Sequence, residues 1–239
     1  MSFKDKRVVV LGGTSGLGFA TAKAAAREGA SVVVVSAKPE RVAKALAALP
    51  KDAEGHVADL TDEGQVSALF AKIGAFDHLV YTAGDWLLLG DFYALNIEDA
   101  RRAFDVRYWG AVMAAKYGAP QIRQGGSIVL TTGIASARPF KGWVAPAGIL
   151  GAMEALTRAL AVELAPIRVN IVSPGVVRTE MWDGLSDADR EGLYRDVGAK
   201  LLVGRVGEPD ELAETYLYLM RQTFSTGQVV TVDGGGVLV

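Results

Sequence analysis

The chain has 239 residues, of which half are apolar and 22% are charged. This length and balance predict a single domain spanning residues 1–239 with a sizeable core, and they exclude an intrinsically disordered chain. The formal net charge is −2, from 25 basic and 27 acidic residues without long runs of either sign. Such a charge argues against nucleic acid or an anionic membrane as the main partner.

The absence of cysteine excludes disulfides, thiolate nucleophiles and cysteine-ligated metal sites. The first residues pass directly into an apolar run and lack the features of a signal peptide, and no wholly apolar stretch reaches about 18 residues. The two histidines, His56 and His78, are far apart in sequence, so no metal site is predicted. We therefore expect a soluble cytoplasmic protein.

Apolar β-branched runs alternate with helical patterns along the chain. Strands are predicted at 7–11, 32–35, 55–58, 78–82, 127–132, 168–172 and 228–232. Helices are predicted at 18–29, 39–49, 62–73, 97–124, with a break near Pro120, and 148–164. Strands that are apolar throughout indicate burial on both faces, which predicts an α/β fold: a doubly wound parallel sheet of the Rossmann type with helices on both faces.

Residues 183–200 form the most charged and least patterned stretch, and we expect this segment to be mobile. No linker, change of composition or internal repeat divides the chain. The catalytic motifs of serine hydrolases and zinc proteases are absent.

A glycine-rich turn follows the first predicted strand and opens the first predicted helix, with Gly12, Gly16 and Gly18 in the sequence GGTSGLG. Such a turn allows the backbone to approach a pyrophosphate, whose charge meets the N–H groups at the helix N-terminus. Phe19 stands where a phosphate-binding P-loop would require lysine. A tight turn without a ligand is the alternative.

These residues resemble the short-chain dehydrogenase/reductase family over nearly the whole chain. Further matches are Asp59-Leu60, Ala83-Gly84 with Tyr81 and Thr82 in place of two asparagines, Asn170 with Pro174, Gly175 and Thr179, and the C-terminal Asp233-Gly234-Gly235. The resemblance implies a dinucleotide site formed by Gly12, Thr14, Ser15, Gly16, Leu17, Gly18, Ser36, Lys38, Asp59, Leu60, Ala83, Gly84, Pro174, Gly175, Val177 and Thr179.

The choice between NAD and NADP depends on the end of the second strand. Ser36 stands where an acidic residue would favour NAD, and Lys38 or Arg41 could attract a 2′-phosphate. Ala37 and Ser15, however, occupy places where NADP-binding relatives often carry basic residues. NADP is favoured over NAD, and a site that binds neither stays open.

The resemblance also implies four catalytic positions, and none holds the usual residue. The register places Pro146 at the tyrosine, Leu150 at the lysine, Gly133 at the serine and Arg107 at the asparagine. No tyrosine in the chain is followed four residues later by lysine, so a shifted alignment does not restore the pair. The loss of this acid and its activating lysine predicts a fall of several orders of magnitude in ordinary carbonyl reduction.

Arg107 and Tyr81 are the substitutes we consider first. Arg107 carries a permanent charge and needs an anionic partner if it is buried, so we expect it to project into the vacated pocket or to pair with a nearby carboxylate. Lys141, Thr131 and Thr132 are further donors, and Trp86, Trp143 and Trp182 are expected to line the cleft.

Three hypotheses follow from this sequence. The first is a non-catalytic or atypical family member that binds NAD(P) and an unknown small molecule. The second is an NAD(P)-dependent oxidoreductase that uses Arg107 and Tyr81. The third is an assembly subunit without a ligand, because family members commonly form dimers or tetramers through the helices that correspond to 97–124 and 148–164.

Overall fold

The computed structural model describes residues 3–84 and 87–239, and these residues form one seven-stranded parallel sheet. The strands follow the order β3-β2-β1-β4-β5-β6-β7. Their bounds are β1 Arg7–Leu11, β2 Ser31–Ser36, β3 Glu54–Val57, β4 Phe76–Tyr81, β5 Ile122–Thr131, β6 Arg168–Pro174 and β7 Val229–Val232. The order reverses at β1 and β4, which leaves a crevice at the carboxyl ends of these two strands.

Helices cover both faces of the sheet, which confirms the predicted fold class. Their bounds are α1 Gly16–Arg27, α2 Pro39–Ala47, α3 Glu63–Ile73, α4 Ile97–Phe104, α5 Gly110–Gly118, α6 Val144–Glu163, α7 Asp187–Gly198 and α8 Pro209–Arg221. One core cluster packs the sheet against α3, α5 and α6, and the other packs it against α1, α2 and α8. The β2 valines divide between the two clusters, with Val33 and Val35 in one and Val32 and Val34 in the other.

The predicted helix at 97–124 is interrupted twice. Asp105–Trp109 forms a π-helical turn between α4 and α5, and Ala119–Gln121 forms a 3₁₀ turn that ends the helical region. Ile122 already belongs to β5, so the predicted helix was too long. Proline lacks the N–H that a continuing helix requires, and Pro120 stands at this end.

Two helices near the C-terminus were not predicted. Helix α7 lies inside the segment expected to be mobile and begins at Ser186, whose side chain accepts a hydrogen bond from the Asp189 N–H. Helix α8 begins at a capping box formed by Glu208 and Glu211, with Pro209 in its first turn. These start signals are visible in the sequence, and they identify α8 without a structure.

Helix α6 is long and apolar enough to cross a membrane by length and composition alone, a test that core helices of globular proteins also pass. Pro146 lies in its first turn, where proline removes no helical hydrogen bond. The helix packs against β6 and the 3₁₀ turn Ile134–Ser136, which places its N-terminal half beside the crevice.

Candidate functional site

The glycine turn has a shape that larger residues would disrupt. Gly12 has φ +83°, and a Cβ atom there would lie 2.6 Å from the Ala83 backbone nitrogen. A Cβ on Gly18 would overlap the Gly12 carbonyl oxygen and the Thr82 hydroxyl. The turn therefore packs directly against the chain that leaves β4. The Thr82 hydroxyl stabilises this packing by donating a hydrogen bond of 3.2 Å to the Leu11 carbonyl oxygen. Thr82 was not among the predicted site residues.

The N-terminus of α1 offers donors for an anion. Ser15 is the N-cap residue, yet its side chain makes no capping hydrogen bond, and the first turn contains no acidic residue. The early N–H groups of a helix have no partners within the helix, and the helix dipole adds positive potential at this end. The turn from Gly12 to Gly18 thus fits a pyrophosphate, as its glycine spacing predicts.

The opposite wall of the crevice follows β6 and contains Pro174, Gly175, Val177 and Thr179. The Thr179 side chain lies 3.4 Å from the position of a Cβ atom on Gly16. The structure thus brings Thr179 to the glycine turn. Trp182 donates from Nε1 to the Val177 carbonyl oxygen at 3.1 Å, so this tryptophan covers the same wall.

The end of β2 is polar and open. Ser36 is partly buried, and its Oγ accepts a hydrogen bond of 3.3 Å from the Lys38 N–H. The Lys38 and Arg41 side chains are exposed. Asp59, beyond β3, accepts hydrogen bonds from the Thr61 N–H and hydroxyl at 2.9 and 2.8 Å, while the following Leu60 is buried.

Three of the four positions assigned to catalysis line one cavity, and Gly133 lies next to one of them. A Cβ atom on Gly133 would lie 3.3 Å from Leu150 Cδ1. Arg107, Pro146 and Leu150 line one small cavity of about 10 Å³, roughly the space of one water molecule. The other lining residues that the structure describes are Leu87, Leu88, Ala103 and Ile149. Arg107 is thus the one charged group among the described lining residues.

Arg107 lies on the π-helical turn between α4 and α5, and its guanidinium group reaches the chain after β4. A Cβ atom on Gly84 would lie 2.6 Å from the Arg107 Cζ and Nη1 atoms. The side chain therefore rests on Gly84 at the edge of the cavity. Short π-helical turns are often found at functional sites, where the extra residue changes the direction of a side chain.

The position of Tyr81 does not suit a residue that donates a proton to a ligand. Its side chain is 1% exposed, and its hydroxyl donates to the Val106 carbonyl oxygen within the π-helical turn. The Thr131 hydroxyl donates to the Tyr81 carbonyl oxygen at 2.7 Å, and the Thr132 hydroxyl donates to the Leu150 carbonyl oxygen at 2.9 Å. These hydroxyl groups hold the backbone around the cavity.

Asn170 belongs to the framework of the sheet. It is fully buried in β6, and its side chain binds the backbone of the segment before β7 through Ser225 and Gln228. Trp143 precedes α6 and packs against Phe140, while Trp86 lies outside the described residues. In the described ranges, no group of three or more histidine or acidic side chains could hold a metal ion.

The comparisons with known proteins agree with this geometry. A family model described as enoyl-(acyl carrier protein) reductase matches residues 12–236. The short-chain dehydrogenase/reductase ATR9 of Stachybotrys chlorohalonatus is 37% identical over 99% of each chain. The chain belongs to the short-chain dehydrogenase/reductase family. The predicted resemblance is therefore confirmed.

Solved structures of family members extend the comparison. A small-chain dehydrogenase in complex with NADPH is 39% identical, with 98% of this chain and 99% of the other covered and a TM-score of 0.87. The reductase/Diels-Alderase MalC of Malbranchea aurantiaca is 31% identical, with 99% and 98% covered and a TM-score of 0.92. Relatives of this chain are thus named as dehydrogenases and reductases.

Proposed function

We propose that this family member binds NAD(P) at the glycine turn and lacks the tyrosine–lysine pair that donates the proton in ordinary carbonyl reduction. The observation that carries the proposal is that Pro146 and Leu150 line a cavity together with Arg107, while Gly133 lies against Leu150. Neither a proline nor a leucine side chain can donate a proton. Apart from Arg107, the described residues that line the cavity are apolar.

NADP is the nucleotide we propose. The last residue of β2 is Ser36, so the end of this strand carries no carboxylate that would repel a 2′-phosphate. The Ser36 hydroxyl and the exposed Lys38 and Arg41 side chains can bind that phosphate. The structure of a 39% identical relative in complex with NADPH also supports this choice. When bound, the nicotinamide ring supplies or accepts a hydride, and the chain's part is to orient it between Thr179 and the cavity.

The second candidate is an oxidoreductase in which Arg107 replaces the missing acid. A guanidinium group is a poor proton donor, but its charge can stabilise an oxyanion that forms as hydride reaches the ligand. The observation that favours it is the position of Arg107 over Gly84, beside the cavity. Arg107 is a better candidate than Tyr81, because the Tyr81 hydroxyl is bound to the Val106 carbonyl oxygen.

An assay of NADPH oxidation with a panel of simple ketones and aldehydes tests both candidates. We expect no oxidation within the detection limit of the assay, because a general acid alone usually contributes about 10²–10⁴-fold in rate. If oxidation occurs and is lost in Arg107→Ala but kept in Arg101→Ala, whose arginine is exposed on α4, the second candidate is correct. Oxidation that continues in Arg107→Ala would contradict both candidates.

We also propose that the protein is a homodimer or homotetramer that associates through residues 97–124 and 148–164. Helix α6 supports this: Gly148, Ala155, Ala159 and Val162 are exposed along one side of an apolar helix. Small residues allow another helix to approach closely, and burial of this side removes apolar surface from water. The third hypothesis, assembly without a ligand, depends on this same surface.

Substitution of Ala155 and Ala159 together by arginine should produce a monomer, because two charges would have to be buried in the interface. Light scattering coupled to gel filtration measures the mass of the assembly. The matched control is Ala47→Arg on α2, an exposed alanine on a different surface, which should leave the mass unchanged. An unchanged mass in the double variant would show that this side of α6 is not the interface.

A further inference from the structure

Arg178 connects the wall of the crevice after β6 to two helices. Its backbone pairs with the segment before α8, through a 3.0 Å hydrogen bond from the Arg178 N–H to the Gly207 carbonyl oxygen. The Gly207 N–H in turn donates to the Val176 carbonyl oxygen at 3.0 Å. Thr179, the next residue, is the one that packs on Gly16 of the glycine turn.

The Arg178 side chain reaches helix α7 first. Its Cζ atom lies 4.3 Å from the centre of the Tyr194 ring, and its Nη1 donates to the Glu191 carboxylate at 2.9 and 3.2 Å. Tyr194 is 5% exposed. Burial raises the pKa of Tyr194, so the ring remains neutral and its face attracts the guanidinium group.

The same side chain also reaches α8. Arg178 Nε lies 3.4 Å from Glu208 Oε1, at the residue that caps this helix. One guanidinium group therefore links the loop after β6 to the sides of two helices that are separate in sequence. An exposed ion pair alone would add little to stability, but this group combines two carboxylates and a buried aromatic ring around a single loop.

Thr179 receives its position from these contacts. Its backbone directly follows the anchored Arg178, and its side chain lies 3.4 Å from the Cβ position of Gly16. The adenosine end of a dinucleotide would lie far from this loop, beyond β2 and β3, where Ser36 and Asp59 are located. Release of Arg178 would therefore disturb one half of the crevice and leave the other intact.

We infer that Arg178 is a positioning residue that holds Thr179 against the glycine turn, so that the nicotinamide half of the dinucleotide is bound in a defined place. This inference rests on the proposed function, because it requires NAD(P) in the crevice. It predicts that Arg178 contributes to binding of the whole dinucleotide and makes no contribution to binding of its adenosine half. A role confined to general stability would affect both ligands equally.

The test compares Arg178→Ala and Arg178→Lys with the wild type in titrations with NADPH and with adenosine 2′,5′-bisphosphate, which lacks the nicotinamide half. If the wild type prefers NADH, then NADH and AMP replace these ligands. We expect Arg178→Ala to bind NADPH about tenfold more weakly, as loss of a cation–π contact and two charged pairs allows, and to bind the adenosine fragment as the wild type does. Lysine should restore part of the affinity, because it keeps the charge and loses the planar fork.

The matched control is Arg195→Ala, which removes an exposed arginine from the same helix α7 that pairs with the adjacent Asp196. It should change neither affinity. Equal losses for both ligands in Arg178→Ala, or unchanged NADPH binding, would overturn the inference while the proposed function stands. Failure of the wild type to bind any of these ligands would overturn the proposed function, and this inference with it.

Discussion

Replacement of Ser15 by aspartate should weaken binding of NADPH by about 100-fold or more while the free energy of unfolding stays the same or rises. The side chain of Ser15 makes no capping hydrogen bond at α1, so aspartate there can cap the helix and interact favourably with its dipole. The same carboxylate would lie where the pyrophosphate must bind. At about 4 Å two unit charges repel by up to about 4 kcal/mol near a protein surface.

NADPH binding should therefore weaken while the free energy of unfolding stays the same or rises. A variant with a damaged fold would instead lose both affinity and stability. Calorimetric titration gives the first and urea denaturation gives the second. The matched control is Asn96→Asp, which adds the same charge at the N-cap of α4, where the Asn96 side chain already accepts hydrogen bonds from Glu98 and Asp99. Equal NADPH affinity in Ser15→Asp and the wild type would show that the pyrophosphate does not bind at this helix.

The free energy of unfolding should fall by about 2 kcal/mol between pH 7 and pH 5, and by about 3 kcal/mol by pH 4, because of His78 alone. His78 is buried in β4, with Nδ1 2.9 Å from Ser127 Oγ. The pKa of its ring is lowered from 6.5 to about 4, mainly by burial and also by the charges of Arg168 and Lys6, against the opposing effect of Asp77. The unfolded chain therefore takes up a proton near pH 6.5, while the folded chain takes it up only near pH 4.

Between these two pH values the unfolded state binds more protons, so stability is full above about pH 6.5 and is lost as the pH falls. Urea denaturation at several pH values measures this slope. His78→Gln has no group that titrates here and should remove most of it. His56→Gln is the control. Burial lowers the pKa of His56 as well, but that side chain is more exposed, so most of the slope should remain in this variant. An unchanged slope in His78→Gln would contradict the assignment.

The Asp77 carboxylate, next to His78 in the chain, affects the free energy of unfolding only at a lower pH. Burial by itself would raise the pKa of Asp77, but hydrogen bonds from the Arg7 N–H and the side chains of Lys6 and Arg123 hold it below its usual value. The stability that this carboxylate contributes is present above its unfolded pKa and is lost only in more acidic solution. The range from pH 7 to pH 5 thus reports mainly on histidine.

Much of the fold follows from local sequence. The valines of β1 and β2 can only suit strands buried on both faces, and a glycine turn between such a strand and a helix fixes where the crevice lies. Helix α8 also has a local signal, because Glu208, Pro209 and Glu211 form a helix start that can be recognised in the sequence. The interruption at Asp105–Trp109 has no comparable local signal, because a π-helical turn depends on packing around it.

The candidate site could likewise be predicted only in part. The resemblance assigns Pro146, Leu150, Gly133 and Arg107 to the catalytic positions, and in the structure Pro146, Leu150 and Arg107 line one cavity while Gly133 lies beside Leu150. The orientation of Tyr81 towards the Val106 carbonyl oxygen could not be predicted, since both strand faces are apolar and either direction is compatible with the pattern. The contacts of Arg178 join residues on three elements, and such contacts leave no periodic trace in a sequence.

The most direct test of the central claim is calorimetric titration of the purified protein with NAD, NADH, NADP and NADPH. Both candidate functions require an occupied glycine turn, whereas assembly without a ligand does not. We predict micromolar binding of one oxidised and reduced pair, with NADP and NADPH tighter than NAD and NADH. Failure of all four nucleotides to bind would contradict the account and would direct attention to a protein partner or a different anionic ligand.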